Sequence, residues 1–209
     1  MNATLFFSNL KYNIRKPYVK IRNRILAKRY PWLLPYRKDG EKFDYSYLLA
    51  EPDVMGWNKV IFYPMMEDIR RAAKRAGIIN KLYTGDYKSK YGGLRFFLYG
   101  ANDEINDIVH SYEVLTENIC EICGEPDVGC TSGWVTPICR TCFKKNQWHT
   151  KPYDEVISKD RRMPNYYEYV KYSSNEDNPT HYKIDIRPTA NRIRRRWNLK
   201  HPSRRKTYA

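Results

Sequence analysis

Acidic residues are missing from both ends of this 209-residue chain. Residues 1–38 hold ten Lys/Arg and no Asp or Glu, and residues 187–209 hold nine and none. These ends contribute +19 to a net charge of +15, so residues 39–186 sum to −4. A near-neutral body carries two cationic arms, which can take a partner while the body keeps its fold. Long apolar runs are missing too. None approaches the roughly 18 residues needed to span a bilayer, so no membrane role is expected. The Leu5-Phe6-Phe7 run is too short for a signal peptide and lacks small cleavage-site residues after it. The Arg-rich N-terminus has the charge of a transit peptide without its usual serines.

Histidine is scarce, at four residues scattered along the chain. A metal-assisted nuclease needs His or carboxylates clustered at an open metal, and that pattern is absent from the sequence. The best candidate cluster is His110 with Asp107 or Glu113 on one helix face, which reads more simply as a partly exposed helix histidine. GGLRFFLYG (92–100) lacks the spacing and the Lys-Ser/Thr ending of a phosphate-cradling loop. There is no internal repeat. Neither catalysis nor a small-molecule substrate is expected.

Cysteine is confined to one segment of 23 residues, CEICGEPDVGCTSGWVTPICRTC. Disulfide frameworks spread over a chain, so a metal site in a reducing compartment is the simpler reading. Two C-x-x-C pairs, Cys120/Cys123 and Cys139/Cys142, are separated by fifteen residues. Each tight turn offers two thiolates, and the spacer leaves room for a hairpin that opposes the pairs, as in a zinc ribbon. Gly124 follows the first pair, where a positive φ is often needed. Four thiolates close the zinc tetrahedron and make it a structural clip. Cys130 falls in the hairpin turn and reads as a loop thiol. His110 and His149 are the less favoured alternative ligands.

Hydrophobic spacing organises the rest. Pro17 starts a helix in which Tyr18, Ile21 and Ile25 recur on one face and Lys20, Arg24 and Lys28 form a basic stripe. Tyr30–Pro35 ends it. A second helix spans about 56–76, buries Ile61, Met65, Ile69 and Ala72/Ala73, and stops at Gly77, with a kink or a start at Pro64. Residues 92–100 read as a strand. Asn102 caps a helix reaching about 118, with Ile105, Ile108/Val109, Tyr112 and Leu115 on one face. One or two helical turns follow Cys142, and residues 150–190 are polar and Tyr-rich without a clear pattern. Residues Arg192–Leu199 form a short helix that like charges weaken, in an arm expected to add little apolar area. The expectation is a small α+β fold divided as 1–38 (basic arm), 39–119 (body), 120–143 (zinc module), 144–186 (polar extension) and 187–209 (basic arm).

The order of Gly56-Trp57, an amphipathic helix, KSKYGGLRFFLYG, DEINDIVHSYEVLTENICEICG and SGWVTPICRTC resembles a family of small, mostly uncharacterised bacteriophage and prophage proteins. In that family a K-x-K-[YF]-G-x-L-R-[FW] block precedes an acidic–apolar helix, a T-C-x-x-C-G knuckle and a G-W-x-x-P/T-x-C-x-x-C/H half. The likeness covers about residues 55–143. It implies Cys120, Cys123, Cys139 and Cys142 as ligands, and a phage protein acting in the host cytoplasm or in the virion. It also implies that residues 90–95 sit against the zinc module. The chain departs from the family at Asn118-Ile119, where Ser/Thr is usual, and in its basic extensions.

Segregated charge favours a nucleic-acid or nucleoprotein partner, bound through Lys20, Arg24, Lys28, Arg192, Arg194, Arg195, Arg196, Arg204 and Arg205. Trp197 and Tyr208 are placed to stack on unpaired bases or to pack on protein. The alternative is a protein that docks on a host complex such as RNA polymerase or the ribosome, or on a virion component. For that role the acids Glu113, Glu117, Glu121, Glu125 and Asp127 would supply a surface of opposite sign.

Overall fold

The computed structural model describes residues 17–35, 45–50, 56–133, 135–146, 151–157, 162–171 and 180–204. Arg205, Tyr208 and His149 lie outside them. The order is α1 (17–29), α2 (Asn58–Arg75), β1 (Tyr83–Lys90), β2 (Gly93–Tyr99), α3 (Asp103–Thr116), α4 (Arg140–Asn146), α5 (Tyr153–Val156), β3 (Tyr166–Lys171), β4 (Thr180–Asp185) and α6 (Arg187–Lys200). This is a small α+β fold with two separate antiparallel hairpins, β1–β2 and β3–β4.

Helix α2 is the centre. Val60, Ile61, Phe62, Met65, Met66, Ile69, Ala72 and Ala73 are all buried, so its apolar stripe is wide enough to take neighbours on several sides. It begins six residues before Pro64 and runs through it. The proline removes one hydrogen bond, to the Val60 carbonyl. Asn102 caps α3 by accepting the Ile105 N–H at 3.1 Å, and Ile105, Val109, Tyr112 and Leu115 are buried as their spacing predicts.

Strand β1 was not apparent in the sequence. It pairs with β2 through a two-residue turn, Tyr91-Gly92, whose φ angles of 53° and 76° are those of a hairpin turn that matches strand twist. The open edge of β2 is covered by α3. The Leu94 N–H donates to Thr116 Oγ1 at 2.8 Å, and the Phe96 N–H donates to Glu113 Oε1 at 2.7 Å. Alternate strand amides that would face solvent are thus satisfied by helix side chains.

Two expectations are corrected. The inward face of α1 is not Tyr18/Ile21/Ile25, which are 66%, 63% and 63% exposed, but Asn23, Leu26, Ala27 and the following Tyr30. Asn23 can be buried because its side-chain amide donates to the Tyr45 carbonyl at 3.0 Å. The C-terminal segment, expected to be a weakly helical arm with little apolar area, is a 14-residue helix. Its Ala190, Ile193 and Trp197 are buried in the core that also holds Trp32 and Trp57. Its charge repulsion is relieved by acids of the body, described below.

Candidate metal centre and basic face

Residues 117–142 build the metal centre on short turns instead of continuous strands. The Gly124 N–H bonds the Cys120 carbonyl at 2.8 Å, and the Cys120 N–H bonds the Glu125 carbonyl at 2.8 Å. Gly124 has φ +84°, a backbone that L side chains rarely adopt. The second pair straddles the start of α4: Cys139 precedes it, and the Cys142 N–H points at Cys139 Sγ, 3.4 Å away. An isolated bridge between Cys130 and Pro137, with the Glu121 N–H donating to the Pro137 carbonyl at 2.8 Å, brings the halves together.

The sulfurs of Cys120, Cys123, Cys139 and Cys142 lie within 4.8 Å of one another and could hold a metal ion. Cys123 and Cys139 are 3.7 Å apart. In the thiol form, bonds donated by Cys123 and Cys139 pull the Cys120 thiol far below its usual range. Donation to Cys120 pushes Cys123 up. Cys130 is outside the group, with its sulfur directed at the Glu117 carbonyl at 3.1 Å. Burial, and secondarily Glu117, push its thiol up to about 11.

Three neighbours fix the centre. Gly56 lies so close to the first knuckle that a Cβ there would sit 1.9 Å from the Ile122 carbonyl carbon and oxygen, so the approach requires glycine. Residues 90–95 meet the module through Gly92, whose Cβ position is 3.0 Å from Val135 and Pro137, and through Arg95, 3.6 Å from Glu117. From the C-terminal side, Arg204 is ion-paired with Glu125, 3.3 Å from Thr141 Oγ1 and 3.8 Å from Cys139 Sγ. A guanidinium at that position offsets the negative charge of a thiolate cluster.

The predicted nucleic-acid residues divide in the same way. Arg194 forks onto Asp127 at 2.9 and 2.6 Å, and both side chains are largely buried. Arg192 forks onto Asp68 at 3.1 and 2.7 Å, while Tyr112 donates to Asp68 at 2.8 Å. The expected acidic surface is therefore partly consumed within the molecule: Asp127 and Glu125 hold α6 and the turn after it. Glu113 is occupied by the Phe96 N–H and by His110, 3.0 Å away, which raises the His110 pKa. Trp197 is fully buried and stacks on His201, with ring centroids 3.7 Å apart. It is a core residue and not available to stack on bases. Arg195, Arg24 and Lys28 are exposed, and Lys20 and Arg196 are half-buried.

Helices α1, α2 and α6 line an open pocket of about 630 Å³. Arg22 and Arg29 come from α1, Arg71 from α2, and Arg192 and Arg196 from α6. Arg22, Arg29 and Arg71 were not singled out in the sequence. Arg22 and Arg29 belong to a different row of α1 from the Lys20/Arg24/Lys28 stripe, which runs along its other flank. Among the described residues no helix is long and apolar enough to cross a membrane. No protein-family model, curated protein or solved structure matches this chain in comparison with known proteins.

Proposed function

We propose that this is a non-enzymatic phage protein that binds nucleic acid, or a nucleoprotein complex, and is held together by a structural zinc ion. The observation that carries the reading is the meeting of the two acid-free ends. Arginines from α1 and α6, far apart in sequence, line one pocket. Charge gathered on one face from two ends neutralises several neighbouring phosphates at once, and release of their counterions drives binding. The donor set suits zinc. An ion about 2.3 Å from each thiolate sets sulfur separations of about 3.8 Å, and Cys123 and Cys139 stand 3.7 Å apart. Cys120, Cys123, Cys139 and Cys142 would hold the ion, which supplies cross-linking and leaves no position for water. The resemblance to phage proteins supports action in the host cytoplasm or the virion.

The test is a salt titration of nuclease-cleaned protein against single-stranded DNA, duplex DNA and RNA. Log affinity is expected to fall steeply with log salt, and the triple change of Lys20, Arg24 and Lys28 to Ala to flatten a duplex slope by about 2–3. Binding that is absent, or indifferent to salt and to these changes, would retire the proposal.

A second reading is favoured by the exposed row of Tyr18, Ile21 and Ile25. Contiguous apolar surface beside cations suits an acidic protein partner on a host complex or virion. Co-purification of such a partner that survives nuclease treatment and is lost on changing Ile21 and Ile25 to Ser would favour docking over nucleic-acid binding.

A further inference from the structure

From the walls of the α1/α2/α6 pocket we infer a site for a phosphate group that carries an organic moiety, such as the phosphate of a nucleotide. The assignment deepens the nucleic-acid reading and rests on it for the choice of a nucleotide as the organic part. Five arginines face two carboxylates in the pocket, an excess of three positive charges. Both carboxylates are already engaged. Glu67 is bonded to Arg29 at 2.9 Å and to Arg70 at 3.0 Å, and Asp68 is bonded to Arg192 and Tyr112. They leave little acceptor capacity for the remaining guanidinium groups. Arg196 lines the same wall, and its Nε has no hydrogen-bond partner among the described residues. The Arg196 side chain is only half-buried, and its guanidinium is a fork of further N–H donors to which an anion in the pocket can bind.

A phosphate monoester fits this excess better than a carboxylate. It brings nearly two negative charges and three acceptor oxygens, and guanidinium forks match them in pairs. The volume exceeds what a bare phosphate fills and falls within the usual range for organic ligands, roughly 300–1,000 Å³. The apolar part of the wall, Ile25, Leu26, Tyr63 and Pro64, gives an organic group something to lie against. Tyr63, 38% exposed, offers a ring edge or face at the rim. Free mononucleotide and the terminal phosphate of a strand share this chemistry, whereas an internal phosphodiester brings one charge and two free oxygens to the same guanidinium groups.

The experiment is calorimetric titration of the full chain with adenosine monophosphate, adenosine, inorganic phosphate and a short oligothymidylate, repeated on Arg196→Gln and Arg71→Gln. Arg196 is half-buried, with its Nε unpaired among the described residues, and Arg71 sits at the surface with Glu67 at 3.5 Å, so both variants are expected to fold. Adenosine monophosphate is expected to bind at least tenfold more tightly than adenosine or inorganic phosphate, and each substitution to weaken it about tenfold. If the oligonucleotide alone shows that dependence on Arg196 and Arg71, the phosphate belongs to a strand, and the site stands. Equal binding of adenosine and its monophosphate overturns the site, as does affinity for both phosphate ligands that ignores Arg196. Oligonucleotide binding that ignores Arg196 but is lost with Lys20, Arg24 and Lys28 overturns the pocket alone. Binding of the mononucleotide that depends on Arg196, with no oligonucleotide bound at any salt, keeps the pocket and removes the wider function.

Discussion

Five cysteines share one short segment, and what surrounds each sulfur separates their fates. Cys120 is fully buried against its three partners. Changing it to Ser removes a ligand and leaves the knuckles unclosed, so Cys120→Ser is expected to lose the metal by elemental analysis and to expose the 117–142 segment to protease. Cys130→Ser keeps a donor for the Glu117 carbonyl and removes none of the four grouped sulfurs, and metal content and melting temperature are expected to stay within error. Glu67 makes a prediction of the opposite kind, in pH. Its bond from Arg70, reinforced by Arg29, holds its pKa at about 2 against an ordinary 4.5. A depressed carboxylate contributes stability that is present above pH 4.5 and lost as pH falls towards 2. Urea midpoints of Glu67→Gln are expected to vary less than wild type across that window and to lie below wild type at neutral pH. Parallel curves would mean the ion pair contributes nothing to folding.

At the level of elements, α6 is the piece whose role changed most between sequence and structure. Trp197→Ala is expected to cost about 3–5 kcal/mol in chemical denaturation, as for other fully buried aromatics, and to leave base stacking unaffected because the ring never reaches solvent. Removal of residues 188–209, which the sequence alone suggested the body would tolerate, now predicts an opened core. Helices α2 and α3 were legible because their apolar residues recur at 3.6 spacing and their ends carry Gly77 and Asn102. The four-cysteine group was legible because a C-x-x-C turn is local chemistry. Helix α1 was misread because two rows of its surface are apolar, and a hydrogen bond from Asn23 to a distant carbonyl decides which row faces inward. Strand β1 was hidden because YTGDYKSK shows no alternation and gains its order from β2. The seating of α6 was out of reach for a related reason. Arg192, Arg194 and Arg204 find their acids 124, 67 and 79 positions away, and no window of sequence reports such pairs.

For the molecule as a whole, the net charge of +15 overstates what is free to meet a polyanion. Arg187, Arg192, Arg194 and Arg204 are each paired with an acid of the same chain. Substituting Arg195 is therefore expected to change the salt slope of nucleic-acid binding more than substituting Arg194. Arg194→Ala is expected instead to lower stability, because it strands Asp127 in a largely buried position. The two readouts, salt slope and urea midpoint, should move in opposite order for these adjacent residues. The burial of Trp197 in the same core as Trp32 and Trp57 has a consequence for how the protein is made. A nascent chain that has emerged only through β4 presents the sides of α2 and α3 while α6, which packs on both, is still inside the ribosome. The core can close only once α6 has emerged, after every other helix and strand of the described structure. Until then the half-made protein carries an uncovered aromatic cleft, a natural target for chaperones that recognise apolar surface.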